Sequence, residues 1–330
     1  MLFLRDIIKL DGTYPFSDTC WGGYVCLGRW CLGWGADGRH ITGTTGSFGA
    51  AAAVSKLLNL SPEQFYMALG HASSLAGGTR VANGTDTKTL HMGRGAQNGL
   101  LAALLAQQDF GTGSEPVGYW GNLVSDTVDL RELNSRLGEK WELLENTFKP
   151  YPCGIVIHPL IDGCISLHKR GIKVTEVERL EVLVNPQCTR LCFIRHPSTA
   201  LEGVFSLYHG CAVGLLYGEG GRNVFSDEAC NRPEVSCIRD IISVSTDKTV
   251  RDDEAYVAAI MKSGERIQEH VEHAVGSLAR PMNREGLERK FVDQSEGVLG
   301  RERCVRIMQA CWRIEEMEDI SELLALCRKE

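Results

Sequence analysis

No apolar run in the 330-residue sequence reaches the roughly 18 residues that a membrane-spanning helix needs, so no membrane span is expected. The opening stretch places Arg5, Asp6 and Lys9 where a secretory signal requires an unbroken apolar core. The expectation is therefore a cytoplasmic protein, with a mitochondrial address left open. A basic excess is also missing. Lys and Arg total 35 against 42 Asp and Glu, a net charge of -7, which speaks against a nucleic-acid partner. There are 13 cysteines but no C-x-x-C pair; Cys188 and Cys192 form only C-x-x-x-C, and Cys26 and Cys31 have no histidine at zinc-like spacing. An odd number of scattered cysteines without a secretory signal reads as reduced thiols, not a disulfide framework. The phosphate-binding G-x-x-x-x-G-K-[ST] and the nucleophile elbow G-x-S-x-G are absent as well, and no G-x-G-x-x-G is read as a dinucleotide-binding turn after a strand. Neither a metal nor any other cofactor is expected.

What is present is a globular composition, 43% hydrophobic and 23% charged. Residues 48–60 (FGAAAAVSKLLNL) are helix-forming material, approached through hydroxyls and glycines at 42–47. Ser61-Pro62-Glu63-Gln64 is a capping box with proline at the first helical position, opening a helix towards Ala76 that Gly77 and Gly78 stop. A third helix is expected over 93–108, with Leu100, Leu101, Leu104 and Leu105 on one stripe, and short helical stretches around Leu130 to Leu137. From Lys149 the texture changes. A helix is expected over 158–169 and another over 206–217. Residues 177–185 (VERLEVLVN) alternate as a half-buried strand, and 240–247 and 255–261 read as strands, the last running into a hairpin at 262–265. Charged amphipathic helices follow Pro281.

Four clusters carry chemistry. Residues 38–46 (GRHITGTTG) run straight into the alanine-rich helix, where free N–H groups and a preceding Arg39 and His40 suit an anion. The plainer reading is a capped helix that packs tightly through its glycines, and spacing alone favours it. Residues 86–95 (DTKTLHMGRG) put Lys88 and His91 three apart, on one face if the segment is helical; composition alone favours a solvated loop. Residues 149–153 (KPYPC), followed by His158, Pro159 and Asp162, give a proline-fixed approach to a histidine, which is more often a cap or core residue than a catalyst. In 205–210 (FSLYHG), Tyr208 and His209 point about 100° apart on a helix, so only one can face a given site. A set rich in His, Lys and Tyr suits cofactor-free acid–base chemistry on a small anion: a base removes a proton beside a carboxylate, and cations hold the developing charge.

In this order the motifs resemble the MmgE/PrpD family, which includes 2-methylcitrate dehydratase, cis-aconitate decarboxylase and iminodisuccinate epimerase. The stretch 287–291 (LERKF) also looks like the family. The resemblance runs from about Gly23 to the C-terminal helices. It implies an α+β fold: a mainly helical domain built from residues 1–145 and 279–330, and a smaller α+β lid domain from 146–278. It implies a cleft between them and a homodimer. His40, Lys88, His91 and His158 match family positions in or beside that cleft, and Tyr208 with His209 stands where the family brings a Tyr or His from the lid. Lys88, Lys149, Thr42 and Thr44 are the expected substrate-binding residues.

The implied activity is a lyase on a small polycarboxylate, with dehydration of a 2-methylcitrate- or alkylcitrate-like tricarboxylate placed first. Decarboxylation of a cis-aconitate-like acid, or epimerisation, in the same cleft is the alternative. A third reading is a non-catalytic family member. It rests on residues 1–21, which show no counterpart of a helical family region carrying an acidic-and-His motif. A chain shortened there is expected to associate strongly and to turn over slowly.

Overall fold

The computed structural model describes residues 38–82, 85–125, 128, 139 and 142–328. The chain divides into two compact units, Met1–Asn146 and Thr147–Glu330. The sequence expectations for residues 1–37, and most of those around Leu130 to Leu137, lie outside the described residues.

The first unit is helical: α1 (Ile41–Leu57), α2 (Pro62–Leu75), α3 (Asp86–Gln107) and α4 (Pro116–Val124). The capping box forms as the sequence indicates, with Gln64 N–H donating to Ser61 Oγ (3.2 Å) and Ser61 N–H to Gln64 Oε1 (3.1 Å). Two helices start earlier than expected. α1 begins at Ile41 and not at Phe48, because Thr44 and Thr45 turn their hydroxyls back onto the carbonyls of His40 and Ile41 instead of capping a helix further on. α3 begins at Asp86 and not at Gly93. Its glycines are tolerated because the helices approach through small residues: a Cβ on Gly99 would run into Ala50 and Ala51 of α1. Phe48, Leu69, Ala72, Ala102, Val117 and Trp120 share one core, with Phe48 edge-on to Trp120 at 4.7 Å.

The second unit carries α5 (His158–Lys169), β1 (Val177–Val184), α6 (Pro186–Leu191), α7 (Leu207–Tyr217), α8 (Pro233–Asp240), β2 (Ile242–Thr246), β3 (Ala255–Met261), β4 (Arg266–Val271), α9 (Arg284–Leu299), α10 (Arg301–Cys311) and α11 (Ser321–Cys327). The sheet order is β2-β1-β3-β4. β1 runs parallel to β2 and antiparallel to β3, and β3 and β4 form a hairpin closed through Gly264 at φ +84°. The helices between β1 and β2 supply the long crossover a parallel pair requires. Leu180, Val182 and Val184 of β1 are buried, as the alternation indicates, and Val177 is buried out of phase with them across a register shift between Val177 and Arg179. α5 is buried against β3 and α7: a Cβ on Gly163 would meet Val257, and Gly210 and Gly214 let Ile161 and Cys164 come close. The architecture is thus mixed helical with one small four-stranded sheet. No helix among the described residues is long and apolar enough to cross a membrane.

Candidate active site

In the first unit, His40 is the residue before α1. Its position is set by a short antiparallel pairing of 38–40 with 78–80, in which His40 N–H donates to the Gly78 carbonyl (3.2 Å) and Arg80 N–H to the Gly38 carbonyl (2.6 Å). His91 lies on the second turn of α3, and a Cβ on Gly78 would stand about 3.2 Å from its ring, so glycine leaves the space the imidazole occupies. The two rings meet Nδ1 to Nδ1 at 3.0 Å, with centroids 5.0 Å apart. One hydrogen must lie between those nitrogens. Burial, followed by the neighbouring His91, Lys88 and Arg80, lowers the His40 pKa to about 4, so His40 is neutral near pH 7. The helical start at Asp86 puts Lys88 and His91 one turn apart, the face-sharing arrangement and not the solvated loop. Thr42 and Thr44 lie within α1. Thr44 is buried and its hydroxyl is committed to the backbone.

In the second unit, the proline-fixed segment delivers His158 to the first position of α5, where it is only 1% exposed. Its Nε2 is buried without a partner, while the ring takes a hydrogen bond with the Cys153 backbone through its other nitrogen. The Cys153 carbonyl also accepts from Lys149 Nζ (3.2 Å). Burial, then the charge of Lys149, outweighs that bond, and with Lys290 these lower the His158 pKa to about 4. The result is a neutral imidazole whose free Nε2 can accept a proton. Tyr151 packs edge-on against it, with ring centroids 5.3 Å apart, and donates to Asp162 Oδ1 (2.5 Å). Asp162 Oδ2 accepts from Val275 N–H (2.8 Å). Burial raises the pKa of Asp162, and burial beside that carboxylate pushes the Tyr151 phenol up.

Tyr208 and His209 diverge, as adjacent helical residues must. Tyr208 lies under the Arg195 guanidinium (4.7 Å) in an open depression of about 430 Å³ at the β2 edge, beside Arg179 and Asp240. His209 is fully buried; its Nε2 bonds the Val224 carbonyl (2.7 Å), its ring meets Phe225 edge-on, and Cys230 Sγ is 3.9 Å away. Burial lowers its pKa to about 4 as well. The structure therefore joins His40, His91 and Lys88 in one unit and Lys149 and His158 in the other, and sends Tyr208 and His209 to separate surroundings. Arg80, Tyr151, Asp162 and Lys290 were not among the residues singled out for the site. Tyr151 and Asp162 lie in the cluster that begins at KPYPC and Lys290 in the family-like run LERKF, whereas nothing in the sequence pointed to Arg80.

A family model described as the MmgE/PrpD N-terminal domain matches residues 25–121, and one described as the MmgE/PrpD C-terminal domain matches residues 151–314. Cis-aconitate decarboxylase of Mus musculus is 26% identical over 310 residues, covering 88% of this chain and 62% of the relative. That of Homo sapiens is 27% identical, covering 88% and 63%, and the cis-aconitate decarboxylase-like protein oryM of Aspergillus oryzae is 27% identical, covering 90% and 67%. The chain spans somewhat more than three-fifths of the length of these relatives.

Proposed function

Since the chain belongs to the MmgE/PrpD family, we propose that it is a lyase that decarboxylates a cis-aconitate-like tricarboxylate. The observation carrying this reading is that relatives aligned over 88–90% of the chain are named for cis-aconitate decarboxylation. The sequence reading put dehydration of a methylcitrate-like acid first; these relatives favour its alternative.

In such a reaction the carbon–carbon bond to the departing carboxylate breaks and carbon dioxide leaves. The electron pair stays behind as an allylic carbanion conjugated with the alkene, and a proton completes the product. The chemistry needs cations for the remaining carboxylates and an acid, such as an imidazole N–H resupplied from water, that delivers a proton to the carbanion. His40 and His91 share one hydrogen beside the positive charges of Lys88 and Arg80, and His158 offers a free Nε2 beside Lys149. Each set offers an imidazole beside cationic side chains, the combination that such a reaction uses.

The test is incubation of the purified chain with cis-aconitate and a panel of citrate-type acids, read by mass spectrometry. Loss of carbon dioxide supports the proposal, and loss of water moves the assignment to dehydration. No conversion of any acid by well-folded protein favours a non-catalytic member. Turnover that survives in both His91→Ala and His158→Ala would remove these histidines from the mechanism.

A further inference from the structure

We propose that Lys290 of α9, with Lys149 and beside the unpartnered Nε2 of His158, forms a subsite that binds one carboxylate of the substrate. This deepens the polycarboxylate reading above and rests on it.

Among the described residues, neither Lys149 nor Lys290 forms an ion pair with a carboxylate, and the one side-chain bond that Lys149 makes is to the Cys153 carbonyl. The acids of α9 are engaged elsewhere or exposed. Glu288 accepts from Arg284 and from Trp312 Nε1 (both 2.8 Å), Glu296 pairs with Arg301 (3.4 Å), and Asp293 is exposed. Lys290 itself is half-buried.

Backbone contacts bring the two lysines' segments together. Phe148 N–H donates to the Gly276 carbonyl (3.1 Å), and Gly276 N–H to the Arg280 carbonyl (2.8 Å). Gly276 sits at φ +86° with the Phe148 carbonyl packed where a Cβ would stand, so no other residue fits that turn. The residue before Lys149 is thereby clamped to the turn that leads into α9. Arg222 holds the helix one turn beyond Lys290, donating to the Gln294 carbonyl (3.4 Å).

Lys149 and Lys290 carry like charges close enough to repel, and Lys290 is half-buried. Burial and then Lys149 lower the pKa of Lys290, and both lysines bear on His158. A protein under selection for stability alone would place a carboxylate or an apolar side chain there. A ligand carboxylate turns the repulsion into charge-assisted hydrogen bonds. The lysines then hold the anion beside the imidazole of His158, whose buried Nε2 has no other partner.

The experiment compares wild type, Lys290→Met and Lys290→Arg by calorimetric titration with propane-1,2,3-tricarboxylate, an acid without the alkene, and by thermal unfolding. Lys290→Met is expected to weaken binding about tenfold or more, since a lost bond to a charged group typically has that effect. Its unfolding midpoint should equal or exceed that of wild type, because a repulsion has been removed. Lys290→Arg should bind close to wild type. If Lys290→Met does not fold, Lys290→Gln takes its place in the same measurements. Wild-type affinity in the uncharged variant, no binding by wild type, or a lower midpoint in both Lys290→Met and Lys290→Gln overturns the subsite. If wild type binds the acid through Lys290 yet converts none of the panel, the subsite stands and the decarboxylation reading falls. If cis-aconitate is turned over with KM unchanged in Lys290→Met, the reverse holds.

Discussion

His158 and His209 are buried imidazoles that the fold keeps neutral, and this ties the stability of the second unit to pH. Each has a pKa of about 4, against 6.5 for an ordinary histidine. As pH falls, the unfolded chain takes up the proton first. Stability is therefore complete above about pH 6.5 and is lost between there and about pH 4, by on the order of 3 kcal/mol per histidine. Thermal unfolding at about pH 7.5 and about pH 5 should show a lower midpoint in acid. His209→Gln, which keeps a donor for the Val224 carbonyl but cannot titrate, should make that pH dependence shallower; an unchanged slope removes His209 from the effect. In the first unit, Lys88→Ala should raise KM for a polycarboxylate, with a loss of about 1.5–3 kcal/mol of binding if the ammonium holds a carboxylate. Steady-state kinetics with KM and kcat both unchanged would take Lys88 out of the site.

Glycines decide how α1 and α3 meet, and not all of them do the same thing. A Cβ on Gly99 would stand about 2.5 Å from the Ala51 amide nitrogen, a backbone atom that cannot step aside. Gly99→Ala should destabilise the chain by about 1–3 kcal/mol in urea unfolding, as overpacking does elsewhere. Gly93, on the same helix, has nothing within 4 Å of its would-be Cβ and is exposed. Gly93→Ala should be neutral or stabilise by up to about 1 kcal/mol, since alanine loses less backbone freedom in a helix. Equal effects at the two positions would contradict the close approach of α1 and α3. The same contact explains why α3 extends back to Asp86: helix packing outweighs the low intrinsic propensity of its glycines, and Asp86 in the first turn favours the helix dipole.

For the whole molecule, the homodimer implied by the family resemblance remains a proposal that mass alone can test. Sedimentation equilibrium of the 330-residue chain should give twice 36.3 kDa at micromolar concentration, and a monomer mass at all concentrations overturns it. The net charge of -7 gives a second check on the substrate reading. An acidic protein that binds a polyanion must do so through local cations, so affinity for propane-1,2,3-tricarboxylate should fall as salt rises.

Local sequence determined a good deal of this protein. The Ser61–Gln64 capping box, the alternation in β1 and the apolar character of α7 were legible because each depends on neighbours a few residues away. The order of the His and Lys motifs was enough to indicate the family. That Tyr208 and His209 must part followed from helical geometry, but their destinations did not. The starts of α1 and α3 were misjudged because threonine and glycine resemble caps and loops until a second helix packs against them. Only the tertiary structure brought His40 against His91 and left the Nε2 of His158 buried without a partner. It also coupled Lys290 to Lys149 across more than a hundred residues of chain. Burial and charge proximity are properties of the folded arrangement: they depend on which groups exclude water from one another, and residue order along the chain does not record that.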